Sequence, residues 1–189
     1  GLVAAQAQDG PFKVGFVYVG PVGDHGWTYQ HDQGRLALEE HFGDAVETTF
    51  VENVSEGADT ERVIRQLVDA GNQMIFTTSF GFMNATANMA ERFPEVTFEH
   101  ATGYRRADNL ATYLSVTYQG RYVSGFLAGK LSQTGKIGYI ASFPIPEVIR
   151  DINAVMLGAQ AVRDDLEMVI IWANTWYDPA READIAGVM

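Results

Sequence analysis

Asp24, His25 and Trp27 crowd one loop spaced by Gly20, Gly23 and Gly26. An unbroken apolar run, residues 14–19, leads into this loop, and a helix-forming segment leaves it. In an open parallel α/β sheet such strand-to-helix turns lie at the carboxyl ends of strands, where these folds bind ligands. An indole and an imidazole on a tight turn cost stability unless something stacks on them. With Thr28 and Tyr29 following at once, the loop has the chemistry to hold a flat, polar small molecule.

Three more aromatics fall at or just past the ends of predicted strands: Phe80, Phe143 and Trp176. Burial in a core is the ordinary fate of any one aromatic side chain. Four at equivalent strand ends point instead to rings that sandwich a planar heterocycle, at about 1–3 kcal/mol per stacked face. Ser79, Asn153 and Asn174 stand nearby as candidate readers of ring edges, beside Thr28. The start of the first helix, near residues 24–27, is expected to offer free amides to ligand acceptors.

Other chemistries fit less well. The glycine spacing departs from G-x-G-x-x-G, and Pro21, His25 and Trp27 crowd the turn, which argues against a dinucleotide site despite Glu52 at the end of the second strand. Asp24, His25, His31 and Asp32 lack metal-ligand spacing and the two histidines read as solvated, so no metal is expected. Ser79 lacks the G-x-S-x-G elbow of a hydrolase nucleophile, and no enzymatic activity is expected. Gly125 and Gly129 are read as letting a helix approach the sheet closely rather than as a membrane dimerisation motif.

The elements that must position these residues alternate strand and helix. Strands are predicted at 14–19, 46–52, 74–78, 96–100 and 111–116, with helices at 27–42, 60–70 and 83–93 between them. Leu36, Leu38 and Phe42 mark the apolar residues of the first helix. Asp59 is expected to cap the second and Gly71 to stop it. The pattern then restarts with helices at 118–132 and 146–162, strands at 137–141 and 168–173, and a last helix capped by Asp178. The reading is α/β, with two doubly wound parallel-sheet lobes joined near 115–117: a lead-in at 1–11, a first lobe at 12–116 and a second at 117–189. Two strands are too few for an independently stable sheet of this type, so the second lobe is expected to be incomplete.

With 24 acidic against 13 basic residues and a net charge of −11, the chain is a poor partner for nucleic acid or anionic lipid. Its 47% hydrophobic content supports a core, and the absence of cysteine removes disulfides and thiolate sites. Gly1 to Ala7 has the look of the end of a secretory signal, with Ala5-Gln6-Ala7 fitting small-x-small cleavage near Ala7. A periplasmic location follows as the expectation.

The blocks GFVYVGPVGDHGWTYQHDQGR, TTSFGFM, FEHATGYR, GRYVSGFLAGKL, IGYIASFPIPEVIRDINAVMLGAQAV and NTWYDPAREA together resemble the BMP (basic membrane protein) family of ABC-transporter solute-binding proteins. That resemblance implies a type I periplasmic-binding fold with ligand held in a cleft between lobes, a purine ligand, a monomeric receptor and an ABC permease as partner, with no cofactor. Carried over by position, Asp24 to Tyr29, Ser79 and Phe80 would form one wall, Phe143 and Asn153 would face them, and Trp176 would flank the cleft. Nucleoside-binding members carry D-x-S-F-N in the first loop, whereas Gly26-Trp27-Thr28 stands here. A free base such as adenine is therefore expected over a nucleoside. A ligand-sensing module of a signalling receptor on the same fold, and less plausibly a nucleoside-processing enzyme, are the alternatives.

Overall fold

The apolar run that opens the sequence becomes the middle of a sheet because it is buried on both faces: Val14, Phe16, Val17 and Tyr18 are all at most 4% exposed. The computed structural model describes residues 10–189, so the expected cleavage pattern at Ala5-Gln6-Ala7 lies outside the described residues. The chain divides into two compact units, the first ending at Leu114 and the second running from Ser115 to Met189.

In the first unit β1 (Phe12–Val17), β2 (Val46–Val51), β3 (Met74–Thr77), β4 (Thr97–Ala101) and β5 (Leu110–Tyr113) form one parallel sheet in the order β2-β1-β3-β4-β5. Helices α1 (Trp27–Phe42), α2 (Ala58–Asp69) and α3 (Met83–Arg92) connect β1 to β2, β2 to β3 and β3 to β4. Because the chain leaves β1 first toward β2 and later toward β3, the strand order reverses direction at β1/β3. Open α/β sheets bind ligands beyond the strand ends at such a switch point. Val63, Ile64 and Leu67 of α2 and Ala87, Met89 and Ala90 of α3 pack with Val17, Ile75 and Phe98 into one core.

Two local expectations are corrected. Helix α1 buries Thr28, Asp32 and Arg35, while Leu36 and Phe42 are 41% and 48% exposed. Its inner face is polar because Asp32 accepts hydrogen bonds from Arg35 Nε at 2.6 Å and Tyr18 Oη at 3.4 Å, and Arg35 also donates to Glu39 and Thr48. Each buried charge therefore has its partner. Asp59 is not the cap of α2; it lies in the first turn, where a negative charge suits the helix dipole, and it accepts from Arg62 and the Ser55 amide. Gly71, by contrast, takes the left-handed φ of +87° just past the helix end, as expected of a stop.

In the second unit β6 (Lys136–Ala141) and β7 (Glu167–Trp172) pair in parallel, with α4 (Thr117–Leu131), α5 (Pro146–Gln160) and α6 (Pro179–Val188) around them. Asp178 caps α6 by accepting from the Arg181 amide at 3.0 Å. The small residues of α4 do not serve contact with the sheet. A Cβ on Gly125 would collide with the Val155 carbonyl, and one on Gly129 would come within 2.8 Å of the Ala159 carbonyl, both on α5. Gly158 answers from α5, where a Cβ would strike the Tyr122 carbonyl of α4. The two helices meet backbone to backbone.

Candidate functional site

At the switch point of the first unit, the loops after β1 and β3 are bonded to each other. Trp27 Nε1 donates to the Thr78 carbonyl at 2.5 Å, and Thr78 reaches back to Val17, its amide at 3.2 Å and its hydroxyl at 3.0 Å from that carbonyl. The end of β2 joins them: Glu52 accepts from the Val22 amide at 2.7 Å. Glu52 at the end of the second strand is thus a loop fastener rather than part of a dinucleotide site. Ser79 donates to Glu56 at 2.6 Å, tying the β3 loop to the segment before α2.

Asp24 organises the β1 loop. Its carboxylate accepts from the amides of Gly26 at 2.8 Å and of Tyr29 and Thr28, both at 2.9 Å. The free amides expected at the start of α1 are in this respect corrected: Asp24 has taken three of them, as a cap would. Partial burial pushes the Asp24 carboxyl up, but these amides outweigh it and hold it below its ordinary value. Thr28 is fully buried beneath the loop and Ser79 nearly so, so their hydroxyls face protein rather than solvent in this conformation.

The rings above them are placed differently. Trp27 and Phe80 are half-buried and stand outside both core clusters, while His25 and Tyr29 are exposed. Trp27 rests on His31 with centroids 4.6 Å apart, and His31 Nδ1 lies 2.8 Å from the Trp27 carbonyl. Burial holds His31 below its ordinary pKa, so it is a neutral packing partner of the indole and not the solvated group expected. Phe80 has Tyr104 beside it, centroids 6.4 Å apart.

In the second unit Phe143 follows β6 and Trp176 follows β7, both half-buried. Their centroids lie 4.9 Å apart at 59°, so they pack on each other and leave only outer faces for a further ring. Asn153 is exposed on α5 and lines a groove of about 700 Å³ that Phe143 and Trp176 do not line. Backbone strain marks the same edge in both units. Among the described residues the non-glycine positions with positive φ are Asn53, Thr102 and Asn174, one or two residues after a strand, and His25, in the loop between β1 and α1. Such strain persists where surrounding structure over-determines it, and it clusters at ligand sites.

Sequence reasoning missed Glu56 and Tyr104 and read His31 as solvated. His31 was readable as one helical turn from Trp27. Glu56, which follows β2, and Tyr104, which follows β4, reach the site only through the order of the strands in the sheet, which no local pattern carries. No group of three or more His, Cys, Asp or Glu side chains able to hold a metal occurs among the described residues. No helix among them is long and apolar enough to cross a membrane.

A family model described as ABC transporter substrate-binding protein, PnrA-like, matches residues 12–189. A purine-binding protein of Brucella abortus is 57% identical over 97% of this chain and 52% of its own length. A Haloferax volcanii protein provisionally named as an ABC transporter glucose-binding protein is 42% identical over 89% of this chain and 43% of its own. The solved ABC transporter solute-binding protein from Aeropyrum pernix superposes with a TM-score of 0.81 at 25% identity, over 95% of this chain and 52% of that one. The fold is therefore the periplasmic-binding type, and the chain spans about half the length of the curated relatives it matches.

Proposed function

The chain belongs to the Bmp family of PnrA-like ABC transporter substrate-binding proteins, and on that footing we propose that it captures a purine base outside the cytoplasm for delivery to an ABC permease. The observation that carries this reading is the junction of the β1 and β3 loops at the switch point, locked by the indole N–H of Trp27 on the Thr78 carbonyl. With its N–H committed to protein, Trp27 has its π-face left as the means of recognition. His25, Tyr29 and Phe80 sit on the same pair of loops and widen that aromatic surface. Asp24, Thr28 and Ser79 act beneath it, holding the loops in shape. Phe143, Asn153 and Trp176 are the candidate ligand-binding residues of the second unit. The name of the 57% identical relative supports a purine. Capture and release need no covalent chemistry, and the receptor works as a monomer.

The 42% identical relative named for glucose favours a second reading, since aromatic faces also stack on sugars. Calorimetry on the full-length protein with adenine, hypoxanthine, guanine, adenosine and glucose separates the two. The bases should bind, and more tightly than adenosine. Trp27→Ala should weaken them at least ten-fold, as expected for loss of a stacked face worth about 1–3 kcal/mol. Binding of glucose with no purine response would replace this reading by the sugar one.

A further inference from the structure

The backbone at Gly81 gives no reason for a glycine. Its φ is not among the positive values, and it sits inside the short helical turn Phe80–Phe82 that runs into α3. The reason is space: a Cβ there would collide with the carboxylate of Glu56, meeting its carbon and both oxygens. The missing side chain is a seat, and a carboxylate from the segment between β2 and α2 fills it. The seated carboxylate accepts from the Ser79 hydroxyl at 2.6 Å, a length typical of a bond to an ionised acceptor. Serine is a preferred cap of a helical turn, yet the Ser79 side chain makes no cap bond, its hydroxyl being turned to Glu56 instead.

The base from which Glu56 reaches is fixed on both sides. Val54 is buried, and its amide donates to the Tyr18 carbonyl at 3.0 Å. Ser55 is held at its amide by Asp59 at 3.3 Å and at its carbonyl by the Thr60 hydroxyl at 2.9 Å. Gly57 takes a φ of +102° and turns the chain into α2. What Glu56 holds is the turn that carries the rings. Phe80 stands between Ser79 and Gly81, the two residues the carboxylate lies against. Thr78 precedes them, and its carbonyl receives the Trp27 indole N–H. A shift of this turn moves one ring directly and loosens the anchor of the other.

We propose that Glu56 is a positioning residue of the purine site, acting through Ser79 and Gly81 to set Phe80 and Trp27 for a planar ligand. This rests on the purine reading above, and every residue it uses lies in the first unit. A turn already held needs no ordering when a ligand arrives, so losing the hold shows as lost affinity. The role requires an acceptor oxygen at that reach and an unfilled seat, rather than the charge itself. Glutamine supplies such an oxygen and alanine does not. A group present only for stability would change the melting temperature and leave the Trp27 indole where it was.

The test uses the full-length protein with Glu56→Ala, Glu56→Gln, Gly81→Ala and the Glu56→Ala/Gly81→Ala double variant. Glu56 is exposed, so its replacement leaves the core intact. One readout is calorimetry with whichever of adenine, hypoxanthine and guanine the wild type binds most tightly. The other, without ligand, is the NMR resonance of the Trp27 indole N–H, identified by its loss in Trp27→Phe. Glu56→Ala and Gly81→Ala should each weaken the base by about five-fold or more and shift that resonance, while Glu56→Gln should return affinity to within about three-fold of wild type. In the double variant the second change should add less than about two-fold, since both remove one contact. Unchanged affinity in Glu56→Ala, no recovery in Glu56→Gln, or losses that add in full overturns the assignment and leaves the purine reading intact. If no purine binds the wild type, the purine reading fails and the indole resonance decides for Glu56. A shift in Glu56→Ala that Glu56→Gln reverses supports its hold on the loops, and an unmoved resonance overturns it.

Discussion

A single carboxylate decides the shape of the candidate site. Asp24 meets three amides at the start of α1, so Asp24→Ala should lower stability by about 1–2 kcal/mol, the cost of a lost cap, in urea denaturation at pH 7. Asp24→Asn keeps an acceptor oxygen and should lose less. His100 sets a second expectation at this scale. It is 1% exposed, with Nδ1 2.9 Å from Thr77 Oγ1, and burial pushes its pKa down from 6.5 to about 4. The unfolded chain takes up this proton as pH falls through 6.5, the folded chain only near 4. The stability tied to a neutral His100 is therefore complete above pH 6.5 and drains away between those values, by up to about 3 kcal/mol. Denaturant midpoints at pH 7.5 and pH 5 should show that fall, and His100→Gln should flatten it. Of the candidate site, the aromatic residues were legible because strand ends can be counted along a sequence. The work of Asp24, Glu52 and Ser79 was not, because it depends on amides and carboxylates that only the folded loops bring together.

At the scale of elements, the α4–α5 pair shows how little room a close helix crossing leaves. Gly158→Ala and Gly125→Ala each drive a methyl group into the backbone of the other helix, and should cost about 1–3 kcal/mol despite the better helix propensity of alanine. Gly34 sits in α1 with nothing within 4 Å of where its Cβ would be, so Gly34→Ala should stabilise by up to about 1 kcal/mol. Thermal melts of the three variants test both signs together. The strands were legible to within three residues at their ends, since apolar runs bounded by turn residues have few other uses. The inner face of α1 was not: the burial of Asp32 and Arg35 depends on Tyr18, Glu39 and Thr48, which the fold places around them. The glycines of α4 announced a close approach, but not that another helix would make it.

For the whole molecule, the two units differ in how completely their sheets are built. Five parallel strands support the first, while β6 and β7 stand as a pair with Val169 and Ile170 of β7 48% and 39% exposed. Three or more strands are the usual minimum for independent stability. In the 189-residue chain, amides of β6 and β7 should exchange with solvent before those of β1 and β3, measured by hydrogen–deuterium exchange and mass spectrometry. Uniform exchange across both sheets would contradict that ranking. The bonds from Asp24 to its three amides have a different bearing on the behaviour of the protein. They arrange the β1 loop, the proposed recognition loop, before any ligand arrives, so little motional freedom is left there for a ligand to remove. Encounter then becomes the slow part of association, and differences among ligands fall on how long each one stays.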